Sequence, residues 1–275
     1  MINLNNYRKN IYHNEGFNEC PHYSEDGIIL KIFEEIGVNK LPTVIEFGEH
    51  RTLGTTTRAF RIKYLSKAIY FAGNLGLYSK TFNIIDIFKI VLNHKNPKYL
   101  KFLFNQPFKY FVTPENFIDL LDKSKVSNID ICCIDIDSYD FFIAKKILNS
   151  PKNVNLYIVE YNPNLPLDKS LTLPHPPKKL KKQNKRIYGA SFKAMNDLFT
   201  KHNYKLIHIS GYCNLFYIKN EYGKNFETPN YLNEIPQTDQ EVNLFTQKYG
   251  MKNFVPSWTG EKYLTGNDLV DFIEI

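Results

Sequence analysis

The sequence predicts an α/β protein with a doubly wound, mostly parallel seven-stranded sheet that closes on an antiparallel C-terminal hairpin. Three observations predict it. Apolar, strand-like runs alternate with helical segments of about 10 to 15 residues, the pattern of parallel sheets covered on both faces. Three of these runs, Thr43-Val44-Ile45-Glu46-Phe47-Gly48, Ile129 to Asp140 and Leu156-Tyr157-Ile158-Val159-Glu160-Tyr161-Asn162, open at their ends into acids or amides. Buried parallel strands need the apolar run, and α/β enzymes place ligand groups at the strand exit. Finally, the runs Lys205 to Ser210 and Asn214 to Lys219 are separated only by Gly211, Tyr212 and Cys213, a connection short enough for a hairpin.

The elements follow in order. After a polar, irregular stretch over residues 1 to 24, the segment from Ile28 to Ile36 carries its apolar residues on one face at helical spacing, and Gly37 stops it. Pro42 breaks the chain before the first strand at 43–47. A helix is expected over 55–66 and a strand over 67–72. The aliphatic run 84–88 leaves 81–92 open between helix and strand. A third strand is expected from Phe108 to Val112. Thr113-Pro114 then starts a helix over 114–124, Thr at the cap and Pro in the first turn. Strand 129–135, helix 138–149 and strand 154–160 follow. Residues 162–187 hold five prolines and read as an irregular excursion, and Tyr188-Gly189-Ala190-Ser191 opens a helix to about residue 202. The organisation is therefore an N-terminal helical extension (1–40), one catalytic-type domain (41–220, with an arm at 163–187) and a polar, aromatic segment (221–275) that reads as a cap or a homodimer contact.

Charged residues at 23% and hydrophobic ones at 43% fit an ordinary globular chain. The net charge of +7 is concentrated in Lys178-Lys179-Leu180-Lys181-Lys182-Gln183-Asn184-Lys185-Arg186. Such a run is either a solvated loop or an arm that attracts an anionic substrate. No nucleic-acid module accompanies it. Cys20, Cys132, Cys133 and Cys213 form no C-x-x-C pair, so neither a zinc site nor a disulfide framework is indicated. No signal-peptide segment opens the chain, and no apolar run reaches the roughly 18 residues of a membrane helix. The reading is a cytoplasmic protein.

The chemistry concentrates at the strand ends. Asp135, Asp137 and Asp140 form D-x-D-x-x-D at the end of the fourth strand. Neighbouring carboxylates raise one another's pKa, which suits one of them, Asp137 first and Asp135 second, to accept a hydroxyl proton. Together with Glu160 they equally form a hard-oxygen set for Mg²⁺ or Mn²⁺. Capping of the next helix accounts for Asp140. His175, in Pro174-His175-Pro176-Pro177, is a candidate base inside the excursion, and His50 is a second histidine in the first loop. Thr55, Thr56 and Thr57 begin a helix whose amides and hydroxyls suit an anion such as a cofactor carboxylate. Glu160 and Asn162 would orient substrate, and Lys178 and Lys179 would attract it.

The ordered set of motifs resembles the FkbM-like methyltransferases, a group within the class I S-adenosylmethionine-dependent methyltransferases. Ser24-Glu25-Asp26-Gly27 is similar to their EDG helix, and Val44-Ile45-Glu46-Phe47-Gly48 to their first cofactor strand. Ile134-Asp135-Ile136-Asp137-Ser138-Tyr139-Asp140 is similar to their IDIDGnD segment. Val159-Glu160-Tyr161-Asn162-Pro163 and Tyr188-Gly189-Ala190-Ser191 match the later signatures. The resemblance spans about residues 24 to 219. It implies S-adenosylmethionine as cofactor, held by Glu46, Gly48, Thr55, Thr56 and Asp135, with Thr113 and Glu115 near the adenine. Only Gly48 and Gly54 stand in the first loop, where the family is glycine-rich. The amide Asn74 follows the second strand, where an acid would hold the ribose hydroxyls. The implied reaction is methylation of a hydroxyl on a small acceptor, sugar- or nucleotide-linked or phosphorylated, in surface-polysaccharide or natural-product biosynthesis. Two other readings stay open. One is a metal-dependent glycosyltransferase using D-x-D, and the other a non-catalytic binding protein on a degenerate methyltransferase fold.

Overall fold

The computed structural model describes residues 1–7, 25–38, 42–48, 56–57, 67–72, 108–109, 112–175, 187–210, 213–231, 269 and 271–275. The expected element at 81–92, the basic run 178–186, the expected helix 55–66 apart from a turn at 56–57, and most of 221–275 lie outside them.

Helix α1 (Glu25–Ile36) precedes strands β1 (Thr43–Phe47), β2 (Lys67–Ala72) and β3 (Phe108–Lys109). Then come α2 (Phe117–Lys123), β4 (Asn128–Ile134), α3 (Asp140–Leu148), β5 (Asn153–Glu160) and the short β6 (Leu171–Thr172). The chain continues through α4 (Phe192–Lys201), β7 (Tyr204–Ser210), β8 (Asn214–Lys219) and β9 (Ile273–Glu274). Among the described residues the main sheet runs β3-β2-β1-β4-β5-β8-β7. β3, β2, β1, β4 and β5 are mutually parallel, while β8 is antiparallel to both β5 and β7. The strand order reverses between β1 and β4. In open α/β sheets a ligand crevice forms at that reversal, beyond the carboxyl ends of the strands.

Side-chain alternation sorts the two faces. Val44, Ile131, Cys133, Leu156 and Ile158 pack with Ile28, Ile29, Ile32 and Phe33 of α1. Burying each of those four helix side chains contributes roughly 1.5–3 kcal/mol. On the opposite face Ile45, Phe47, Cys132, Ile134, Tyr157 and Val159 pack with α2, α3 and α4 through Phe117, Leu121, Ile143, Met195 and Phe199. Helices on both faces make the sheet doubly wound. The thiols of Cys132 and Cys133 are free and buried, and burial pushes both pKa values up.

Some boundaries move for local reasons. Thr113 and Asn116 bond reciprocally (Thr113 N to Asn116 Oδ1 2.9 Å, Asn116 N to Thr113 Oγ1 3.4 Å), closing a separate turn, so α2 starts at Phe117 rather than at 114. α3 starts at Asp140 rather than 138, because the Ser138 amide donates to the Asp140 carboxylate. The excursion expected to be irregular contains β6, which pairs with β9 a hundred residues on. The N-terminal stretch, expected to be polar and irregular, turns at Leu4–Tyr7 and buries Leu4 beside α1, while Ile2 bridges Phe226. No helix among the described residues is long and apolar enough to cross a membrane.

Candidate active site

The register places the acids. Glu46 lies opposite Cys133, and Cys133 opposite Ile158. Two residues on from Cys133 and Ile158 stand Asp135, just past β4, and Glu160, the last residue of β5, on the face that carries Glu46, because side chains alternate with a period of two. Three strand ends beside the reversal of strand order therefore present three carboxylates to one rim. Ligand oxygens of Asp135, Asp137 and Glu160 all lie within 4.8 Å of one another. Asp137 is exposed, Asp135 half-buried, and Glu160 only 8% exposed.

Asp137 reaches the cluster from a left-handed backbone (φ 53°), a conformation that costs a non-glycine residue of order 1 kcal/mol or more. Asp140, fully buried at the start of α3, holds it there. Its carboxylate accepts from Ile136 N (2.8 Å) and Ser138 N (3.0 Å), the amides on either side of Asp137. Burial raises the Asp140 pKa to about 6, against the opposing pull of those amides. Glu160 is pushed well above the usual carboxylate range by burial, then by the charges of Asp135, Asp137 and Asp140 and by a hydrogen bond with Asp135.

Glu46 is buried and accepts from Thr56 N (3.1 Å), Thr57 N (3.3 Å) and the Thr57 hydroxyl. The donors that sequence reasoning offered to a cofactor carboxylate thus hold a protein carboxylate, and Glu46 organises the loop after β1. Gly48 (φ +99°) serves the sheet: a Cβ there would stand 1.3 Å from the Asp135 carbonyl oxygen. Its freedom lets the exit of β1 lie against the exit of β4.

His175 stands in another group. Its Nε2 lies 2.5 Å from Glu115 Oε1, and its ring packs on Tyr139 and Phe142. The hydrogen bond from Thr113, the largest cause, lowers the pKa of Glu115, and His175 adds to it. Thr113 itself closes the turn described above. Asn162 is fully buried with its amide committed inward, Nδ2 donating to Tyr188 O (2.8 Å) and Oδ1 accepting from Asn164 N and Nδ2. It fastens the end of β5 to the segment before α4, which leaves its side chain in the scaffold. Thr55, Asn74, Lys178 and Lys179 lie outside the described residues, as does His50.

Three residues that were not expected at the site border the rim. The phenol of Tyr188 is pushed up by burial and then by Glu160, with Asp137 and Asp135 contributing. Asn214 pairs with Glu160 across the β5–β8 ladder and donates its Nδ2 to Glu25 Oε1 (3.0 Å). Ser210 pairs with Asn214, and its buried Oγ has no hydrogen-bond partner among the described residues. Strand register, which the sequence does not carry, is what brings Asn214 and Ser210 here.

No protein-family model matches the chain, and no curated protein does. Among solved structures the chain is similar to the N-terminal domain of EvdMO1 with SAH bound, at a TM-score of 0.37 and 10% identity, covering 70% of this chain and 78% of that one. A likeness that loose carries neither fold nor activity by itself.

Proposed function

We propose that the chain is an S-adenosylmethionine-dependent O-methyltransferase acting on a small hydroxyl-bearing acceptor. The observation that carries this reading is the convergence of Asp135, Asp137 and Glu160 on the rim where the strand order reverses, the crevice position of α/β nucleotide-binding folds. Five parallel strands followed by an antiparallel pair match the architecture implied by the motif resemblance. The donor set fits the cofactor: its sulfonium and ammonium groups are cationic, and the rim is acidic. When bound, S-adenosylmethionine would supply an electrophilic methyl group. The residues of this chain position the acceptor and take its proton. Asp137, exposed and held in one orientation by its constrained backbone, receives the hydroxyl proton on a carboxylate oxygen, with Asp135 and Glu160 behind it. Such a displacement draws much of its rate from orientation, so a covalent nucleophile is not required.

The basic run 178–186 favours a phosphorylated or nucleotide-activated acceptor, and the FkbM-like resemblance favours surface-polysaccharide or natural-product chemistry. Calorimetric titration with S-adenosylmethionine and S-adenosylhomocysteine, followed by S-adenosylhomocysteine release with a panel of sugar and nucleotide-sugar acceptors, tests both layers. Saturable binding of either nucleoside supports the reading. Binding of UDP- or GDP-sugars with Mn²⁺ in place of the sulfonium nucleoside replaces it with the glycosyltransferase reading, which the same carboxylate cluster favours.

A further inference from the structure

The carboxylates of Asp135, Asp137 and Glu160 form a cluster whose chemistry is not exhausted by proton transfer. Their ligand oxygens lie within 4.8 Å of one another, the span of oxygens that share one cation. Proximity alone does not make a site, since acids gather on many surfaces. Glu160 supplies the independent observation. It is 8% exposed, and its Oε2 is buried with no hydrogen-bond partner among the described residues. Buried polar atoms are nearly always partnered, so an orphan acceptor inside a carboxylate cluster marks the place of a missing electropositive atom. The neighbouring Asn214 Oδ1 is also buried and unpartnered. Both orphans are acceptors, so the missing partner is a donor or a cation rather than an anion.

We infer that Asp135, Asp137 and Glu160 bind one divalent cation of the Mg²⁺ or Mn²⁺ class. The all-oxygen set selects hard ions over zinc or copper, which prefer nitrogen and sulfur. Three carboxylates, each giving one oxygen, leave about three of six octahedral positions for water or for substrate oxygens. Burial orders the ligands: Glu160 forms the floor, Asp135 the wall, and Asp137 the exposed entrance. Under the reading of the previous section, the ion would orient the acceptor's oxygens and lower the pKa of its hydroxyl. The site itself does not depend on that reading, because its ligands are all side chains of this chain.

The test uses the full chain without any nucleoside. Mn²⁺ is titrated and the free ion followed by electron paramagnetic resonance, with Mg²⁺ competition as a second arm. One saturable Mn²⁺ per chain is expected, displaced by Mg²⁺. Asp137→Asn and Glu160→Gln should each weaken it by about 10- to 100-fold or more, as loss of a ligand does at least what loss of an outer support does. Asp197→Asn, on the exposed surface of α4, should leave it unchanged. Circular dichroism shows which variants are folded. Should Glu160→Gln unfold, the exposed Asp137→Asn decides. Absence of saturable binding to the folded wild type overturns the inference, as does undiminished binding to folded Asp137→Asn. Nucleoside binding is measured separately, so failure of the metal site and failure of the methyltransferase reading are distinguishable.

Discussion

Asp140 shows how a single side chain sets the geometry of the rim. It has no solvent exposure, accepts from the amides that flank Asp137, and thereby holds that residue in its left-handed conformation. Its pKa lies at about 6 in the fold against 3.8 when free, with burial as the cause. The folded state therefore binds the proton more tightly than the unfolded chain. Stability from this group is fully present below about pH 4 and is lost as the pH rises through 6. On the scale of 1.36 kcal/mol per pKa unit the loss is on the order of 2–3 kcal/mol. Other acids titrate in the same window, so the measurement is a difference. In urea unfolding, the stability of wild type minus that of Asp140→Asn should fall as the pH rises from 4 to 7. A difference that is flat or rises with pH refutes the assignment.

Elements differ in how openly the chain announces them. β4 and β5 are plain in the sequence because a buried parallel strand must be apolar throughout, and both runs end in acids where the strands leave the sheet. α4 is equally plain at its start. Ser191 caps it, accepting from Ala194 N (3.2 Å), and also accepts from Leu171 N (3.0 Å) while donating to Lys169 O (2.6 Å). One hydroxyl thus ends β6's approach and begins a helix. Ser191→Ala should cost more than the ~1 kcal/mol of an ordinary cap, because the buried Leu171 amide loses its partner as well. A shift in thermal midpoint within the range of a simple cap loss would show that water replaces the hydroxyl. β6 was not legible: two residues carry no period, and its partner β9 is remote in sequence. The roles of Asn214 and Ser210 were hidden for the same reason, since cross-strand neighbours are fixed by register and not by spacing along the chain.

At the scale of the molecule, segments far apart in the chain pair with one another. Ile273 and Glu274 pair with Thr172 and Leu171, Ile275 N donates to Ser170 O (2.9 Å), and Phe272 packs with Leu165, Leu171 and Leu173. The stretch that follows β5 therefore depends on residues at the other end of the numbering. Ile273→Pro removes a ladder amide and should loosen this sheet while leaving the main one intact. Limited proteolysis is the check: cleavage between residues 163 and 191 should accelerate, with little change in global unfolding. Unchanged cleavage would mean that Phe272 packing alone secures the segment. The general plan of strands, helices and acidic exits could be read before any coordinates. Asp140 could likewise be set apart as a capping acid from the set Asp135, Asp137 and Glu160, but the hold of the loop on Glu46 could not be read, because it depends on which loop amides fold back to meet it.

Cys133 sits one alternation below Asp135, sealed between α1 and the sheet, with its thiol held away from ionisation by burial and then by Glu46 and Asp135. A maleimide needs the thiolate, and here it meets neither charge nor access. Labelling at this position therefore becomes a stopwatch for how often the rim lifts off its floor, and anything that clamps the carboxylates should slow its hands.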